Sequence, residues 1–232
     1  MSYSMHKIIP LLQNVPLFQD LSPEELELIA PLFIERKFKK GSILFFEGDL
    51  GDELFLIQSG AVKIYRIDNA KEIILALFRD GDYFGEMALI QKGLARSATA
   101  ETMEPSVIYT LARSQLFSFM ERSPKLCLKL LEDTMQRLRR ANELIYDLTF
   151  LDVRSRTMKT ILRLADEHGV KKASGTMISV KLTHQQLANL VGTVRESVTK
   201  VLQELQEDKV ISIEKKMIMI RDFDGLRQRV QL

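Results

Sequence analysis

From Pro124 to Phe150 no glycine or proline interrupts the chain, and this stretch limits the fold more than any other. Ser123 followed by Pro124 is the pattern of a helix cap and a first-turn proline, so the run predicts one helix of roughly 26 residues, about 39 Å at 1.5 Å per residue. A helix of that length exceeds what a small domain ordinarily packs alone. Along it Leu131, Met135, Leu138, Asn142, Ile145 and Thr149 recur at alternating steps of four and three, the spacing of a coiled-coil seam. The seam predicts a dimer interface, in which Asn142 sets register or faces a ligand; the alternative is a face packed on its own domain.

The stretches on either side have different periods. Before the long helix, SILFFEG, DELFLIQSG, AVKIYRID, EIILALFRDGDYF and VIYTL are short apolar or alternating runs separated by Gly, Asp or Asn. They predict antiparallel strands of a barrel or jelly roll, and the lack of alternating long helices disfavours a dinucleotide-binding fold. Ahead of them LSPEELELIAPLF reads as a short helix, with Ser22 as cap, Pro23 at the first position and Glu25 completing a capping box. After the long helix, a helix is expected from Val153 to Glu167, and HGVKKASGT reads as a loop. In LTHQQLANLVGTVRESVTKVLQELQEDKVI, Thr183 can cap a first short helix, Gly192 ends it, and Thr193 can cap a second. That pair predicts a helix-turn-helix, and VISI and MIMI beyond it a two-stranded wing. The fold class is therefore α+β, with three parts: a barrel with flanking helices over 1–122, a dimerisation helix over 123–150 and a winged helix-turn-helix over 151–232.

Charge is segregated along this plan. From Phe150 onward there are 15 Lys and Arg against 10 Asp and Glu, and because the whole chain carries +2, residues 1–149 carry −3. A basic C-terminal part favours nucleic acid as its partner. Several classes are disfavoured. The single Cys127 leaves no internal disulfide or multi-cysteine metal cage, and its leucine-rich setting KLCLKLL predicts a buried structural thiol. His6, His168 and His184 have no metal spacing. No nucleophile and base pattern or phosphate loop points to catalysis. The start MSYSMHKIIP lacks the apolar run of a signal peptide, and no stretch approaches the roughly 18 apolar residues of a membrane helix, so a cytoplasmic protein with no membrane partner is expected.

Two groups of residues carry chemistry. The stretch GEMALIQKGLARSA places Glu86 and Arg96, with Gly85 and Ser97 beside them, in an otherwise small or apolar run. A guanidinium, a hydroxyl and backbone N–H groups suit phosphate oxygens, and a carboxylate suits a ribose hydroxyl; a solvated charge pair is the alternative. In the helix-turn-helix, the start of the second helix carries Thr193, Arg195, Glu196 and Ser197, with Lys200 one turn on, and Thr183 and Gln185 open the first helix. Arginine can span guanine O6 and N7, and glutamate can accept from cytosine N4.

In their order and spacing, ELFLIQSGAVKIY, GDYFGE, RSATA, LTFLDV and LANLVGTVRESVTKVLQELQ resemble the cyclic-AMP receptor protein and fumarate-nitrate reduction regulator family across nearly the whole chain. The resemblance implies a homodimer that binds palindromic DNA and recruits RNA polymerase under control of an effector in the barrel. It implies that Gly85 and Glu86 hold a ribose, that Arg96 and Ser97 hold a cyclic phosphate, and that Arg137 lies near the phosphate side. Arg195, Glu196 and Lys200 match the base-reading positions, Lys200 standing where arginine is typical, and the implied half-site resembles TGTGA. The sequence departs from the family at the base end, where Ala141 and Asn142 replace a Thr–Ser pair; Ala141 offers no side-chain polar group and Asn142 offers both kinds. The implied effector is cyclic AMP or another nucleotide, with no cofactor required. A single cysteine cannot hold the iron-sulfur cluster of some relatives, and no barrel histidine serves as a haem ligand. Two alternatives stand beside this reading: a regulator of the same fold that needs no effector, and a cyclic-nucleotide sensor acting through protein partners.

Overall fold

The computed structural model describes residues 5–230. Met1–Ser4, which belong to the stretch read for a signal peptide, lie outside the described residues, as does the side chain of His6. The chain divides into two compact units, one of residues up to Asp68 and Leu75–Arg139, the other of Asn69–Ile74 and Arg140 onward.

The first unit opens with α1 (Met5–Asn14) and α2 (Pro23–Ile29). The expected capping box starts α2: Glu25 N donates to Ser22 Oγ at 3.2 Å, and Ser22 N donates to Glu25 Oε2 at 2.8 Å. Eight strands follow: β1 (Ile34–Phe38), β2 (Ile43–Phe45), β3 (Glu53–Ser59), β4 (Ala61–Asp68), β5 (Lys71–Arg79), β6 (Tyr83–Phe84), β7 (Thr99–Thr102) and β8 (Ser106–Ala112). They form two four-stranded sheets, β1-β8-β3-β6 and β2-β7-β4-β5. The sequence runs had not marked β1 or β7, whose residues IERKF and TAET are largely polar. Alternation along β3 explains how one strand serves two cores. Leu54 and Leu56 join Ile8, Leu12, Leu26 and Ile29 in a helix-covered core, whereas Phe55 and Ile57 face Val62, Phe84 and Ala100.

Next come α3 (Arg113–Met120) and α4 (Pro124–Phe150), the latter 27 residues long as its freedom from breakers predicts. Two expectations at its start need correction. Ser123 Oγ is buried with no hydrogen-bond partner, so it does not cap the helix. Cys127 is exposed, because Leu126 and Leu130 take the core-facing side and residue 127 lies about 100° round the helix from Leu126.

The second unit holds the rest of α4, then α5 (Val153–His168), β9 (Gly169–Lys172), β10 (Gly175–Ile178), α6 (His184–Val191), α7 (Arg195–Glu207), β11 (Ile211–Glu214), β12 (Met217–Ile220) and α8 (Phe223–Gln228). Asp152 caps α5 by accepting from Ser155 N at 2.7 Å, a bond that holds its carboxyl below the usual aspartate value. Only Leu151 and Asp152 separate α4 from α5. The segment 169–178 is a β-hairpin, not a loop. Its Lys, Ser and Gly content masked the pairing, which β12 completes from outside the segment. The wing is accordingly part of a four-stranded sheet, β11-β12-β10-β9. Ile161, Leu164, Leu187, Val198, Leu202, Leu205, Ile218 and Leu226 are all nearly inaccessible and supply the core of this unit.

Thr183 caps α6 as expected and forms a reciprocal box with Gln186. Replacing Thr183 with alanine should lower the stability of this unit by about 1 kcal/mol, read as a reduced urea midpoint in circular dichroism. An unchanged midpoint would show that solvent replaces the cap without loss.

Candidate functional site

The segment from Gly85 to Ser97 is built around a buried cation. Arg96 is 5% exposed. Its Nη1 donates to the carbonyl of Gly85 at 2.7 Å and its Nη2 to the carbonyl of Glu53 at 2.8 Å. Its guanidinium lies 4.3 Å from the ring centre of Phe45, a cation–π contact strengthened by the dry surroundings. Burial draws the Arg96 guanidinium below its ordinary pKa, and the nearby carboxylates of Glu53, Glu86, Asp49 and Asp52 oppose the shift. Gly85 has φ +89°, and a Cβ there would meet Arg96 Nη1 at 2.8 Å, so glycine serves both the left-handed turn and the approach of the guanidinium.

Glu86 follows at once and is also 5% exposed. Arg137 of α4 donates through Nη1 to Glu86 Oε1 at 2.8 Å and through Nη2 to the carbonyl of Tyr83 at 2.9 Å. Glu86 Oε2 and Arg96 Nε are left buried with no partner. Each is a polar atom whose hydration has been removed without replacement, which is costly unless something else supplies a bond. Next to this pair, Phe55 and Phe84 stack at 5.2 Å between ring centres and Phe78 and Phe84 at 5.5 Å.

Gly85, Glu86, Arg96 and Arg137 are thus joined by direct hydrogen bonds. Ser97 is exposed beside them, and Ala141 and Asn142 are exposed further along α4. The arginine fork, expected to face an anion, is occupied here by two backbone carbonyls. Sequence reading passed over Glu53, Phe45, Tyr83 and Asp133; Glu53 contributes through its main chain, and Tyr83 partly so, and a main-chain carbonyl carries no residue-specific signal. Tyr83 lies within the quoted GDYFGE, and its hydroxyl donates to Asp133 Oδ2 at 2.7 Å.

The helix-turn-helix presents its own group. Gly192, at φ +74°, closes α6 in the left-handed conformation. Thr193 does not cap α7: its N–H donates to the carbonyl of Ala188 at 3.0 Å, and Val194 takes the cap position without a side-chain bond. The turn is one residue longer than the threonine suggests. Arg195, Glu196 and Lys200 are exposed, Ser197 is half-buried, and Val198, Val201, Leu202 and Leu205 take the core side. Gln185 is exposed at the start of α6, and Thr183 is half-buried in its cap. Two buttresses were not foreseen. His184 Nδ1 lies 2.9 Å from Thr199 Oγ1, and Arg154 Nε donates to Glu204 Oε1 at 3.0 Å.

Two family models match the chain, a cyclic nucleotide-binding domain over residues 35–123 and a Crp-like helix-turn-helix domain over residues 155–229. The CRP-like cAMP-activated global transcriptional regulator of Mycobacterium tuberculosis is 31% identical over 222 residues, covering 95% of this chain and 99% of that protein. The cyclic AMP receptor protein of Thermus thermophilus is 32% identical over 212 residues, covering 91% and 94%. Among solved structures, FixK2 of Bradyrhizobium japonicum superposes with a TM-score of 0.77 at 19% identity, over 86% of this chain and 98% of that one, and carries the same fold.

Burial, first, and the bond to Asp133, second, push the Tyr83 hydroxyl well above the ordinary tyrosine value of 10.0, with the Asp133 and Glu86 charges adding and Arg137 opposing. A raised folded-state pKa contributes stability that is complete below pH 10.0 and is lost as pH climbs beyond it. Alkaline titration followed at the tyrosinate absorbance should show Tyr83 among the tyrosines that ionise only as the fold opens, and Tyr83→Phe should shrink that late phase by one tyrosine.

Arg137→Ala strands the buried Glu86 carboxylate and should cost about 2 kcal/mol, a value discounted because Arg137 is partly exposed. Adding Glu86→Gln to that variant should recover part of the loss in thermal unfolding.

Proposed function

This chain belongs to the cyclic-AMP receptor protein and fumarate-nitrate reduction regulator family, and we propose that it is a homodimeric, sequence-specific transcription regulator controlled by a cyclic nucleotide or a similar small anion. That it is a DNA-binding transcription regulator with a cyclic nucleotide-binding domain follows from family membership; its relatives are regulators and not enzymes. The finer reading has one main support: Arg195, Glu196 and Lys200 stand exposed together at the start of a helix whose opposite side is fully packed. In a helix-turn-helix these are the positions that reach base edges in the major groove.

Under this proposal residues 1–122 sense the effector, 123–150 form the dimer helix and 151–232 read DNA. Arg195 takes a guanine, Glu196 accepts from a cytosine, and Lys200 takes a guanine or a phosphate, within a TGTGA-like half-site; Thr183, Gln185, Thr193 and Ser197 add contacts. The dimer face is the row Leu131, Met135, Leu138, Asn142, Ile145 and Thr149. Leu131, Met135, Leu138 and Ile145 are 54, 43, 53 and 63% exposed, far more apolar surface than one helix ordinarily leaves in water. A two-fold dimer sets the recognition helices about 34 Å apart, on an inverted repeat. RNA polymerase is the partner that turns occupancy into transcription, and the cytoplasm is where such a complex works; among the described residues no helix is long and apolar enough to cross a membrane.

The effector site is Gly85, Glu86, Arg96, Ser97 and Arg137, with Ala141 and Asn142 at the base end. The unpartnered Arg96 Nε and Glu86 Oε2 are a donor and an acceptor of the kinds that a phosphate and a ribose hydroxyl satisfy. Cyclic AMP is the first candidate, because two relatives are named for it. Binding shifts the population toward one presentation of the reading domains through the hinge at Phe150–Val153.

Calorimetric titration of cyclic AMP into nucleotide-stripped protein tests this: binding near one site per chain, abolished by Arg96→Ala, is the expected result. Absence of heat, with no displacement of a fluorescent analogue, leaves the effector-independent regulator of the same fold. Leu138→Asp should convert a dimer to a monomer in light scattering and weaken palindrome binding at least about tenfold. DNA affinity should fall steeply with salt and with Arg195→Ala, and absence of binding to any duplex would favour a sensor acting through protein partners.

A further inference from the structure

The turn between β4 and β5 has a place in the second unit that the proposed function does not explain. Asn69 and Ala70 both lie in the left-handed region, at φ +47° and +64°, as a tight two-residue hairpin turn requires. Alanine is an unfavourable choice there, since its Cβ crowds the backbone. Just beyond the turn, Glu72 Oε1 accepts from Asn189 Nδ2 at 3.0 Å. Asn189 belongs to α6, is 7% exposed, and accepts through Oδ1 from Gln185 Nε2 at 2.8 Å. A groove of about 550 Å³ runs between these parts, with Asn69, Lys71 and Glu72 on one side and Gln185, Thr193 and Glu196 on the other.

Gln185, Thr193 and Glu196 are three of the residues assigned to DNA above. A carboxylate bonded to Asn189 in the last turn of α6, and sharing a groove with the start of α7, offers what a DNA phosphate oxygen offers: negative charge and an acceptor. The turn and a duplex cannot both occupy that edge of the reading face. We propose that the Asn69–Glu72 turn is a built-in competitor of DNA, anchored by the Glu72–Asn189 hydrogen bond. The inference rests on the DNA-binding reading of the preceding subsection and adds an autoinhibitory contact to it. By linkage, whatever withdraws the turn raises DNA affinity, and DNA in turn favours its withdrawal by the same factor.

The test is fluorescence anisotropy on the full chain without added nucleotide, using a duplex with inverted TGTGA half-sites about 10.5 base pairs apart, centre to centre, and a scrambled duplex. Glu72→Ala should tighten binding to the palindrome about tenfold, the size expected for loss of one hydrogen bond to a charged group. Removing any carboxylate helps DNA binding somewhat, so Glu214→Gln, whose side chain is 81% exposed on the wing, sets that general contribution. Hydrogen exchange gives a readout independent of DNA: amides 71–74 and 193–196 should exchange faster in Glu72→Ala than in the parent. A gain equal to that of Glu214→Gln, or unchanged exchange with wild-type palindrome binding intact, overturns the competitor while leaving the DNA reading in place. If neither the parent nor Glu72→Ala binds the palindrome better than the scrambled duplex, the DNA reading falls and takes the competitor with it.

Discussion

The loop from Gly85 to Ser97 is organised by the need to keep a buried arginine charged. A guanidinium removed from water must find acceptors, and Arg96 finds the carbonyls of Gly85 and Glu53 and the face of Phe45. Those demands shape the loop. Gly85 takes a left-handed turn that a side chain would obstruct, and the turn brings Glu86 inward, where its carboxylate needs a cation in turn. Arg137 supplies it and binds the carbonyl of Tyr83, while Tyr83 reaches Asp133 on the same helix. One buried charge thus leads, bond by bond, to the attachment of the first half of α4 to its sheet.

Under the proposed function, such a chain of bonds is poised to respond to a ligand. Arg96 spends its two terminal nitrogens on neutral carbonyls, which are weaker acceptors than a phosphate. An anion entering the loop therefore has something to gain from displacing them, and Glu86 retains one free acceptor atom. Because Glu86 is the partner of Arg137, any ligand that engages Glu86 also alters the bond that holds α4. Differential contacts of this kind, and not distance alone, give a binding event a means of biasing a conformational equilibrium.

The helix-turn-helix follows a different physical plan. Its core side is mainly apolar, its caps and buttresses hold the two helices in register, and Arg195, Glu196 and Lys200 are left outside. Arg154 against Glu204 and His184 against Thr199 brace α7 from α5 and α6. Rigid support behind Arg195, Glu196 and Lys200 is what their proposed reading role needs, since small displacements of a bidentate contact remove its discrimination.

Local patterns in the chain by themselves determined a good deal: most of the barrel strands, though not the polar β1 and β7, the 27-residue helix through its lack of breakers, the caps at Ser22 and Thr183, and the glycine end of α6. These features depend on neighbours within a few residues, so they can be read along the chain. Tertiary structure decided the rest. Whether 169–178 is loop or strand depended on an edge that β12 supplies, and whether Cys127 is buried depended on which side of α4 meets the core. The placing of Glu86 and Arg96 was equally non-local. Arg96 Nη2 bonds the main chain of Glu53, and Glu86 Oε1 bonds an arginine 51 positions away, pairings that carry no local pattern because they form only when two sheets and a helix close around the same buried charges.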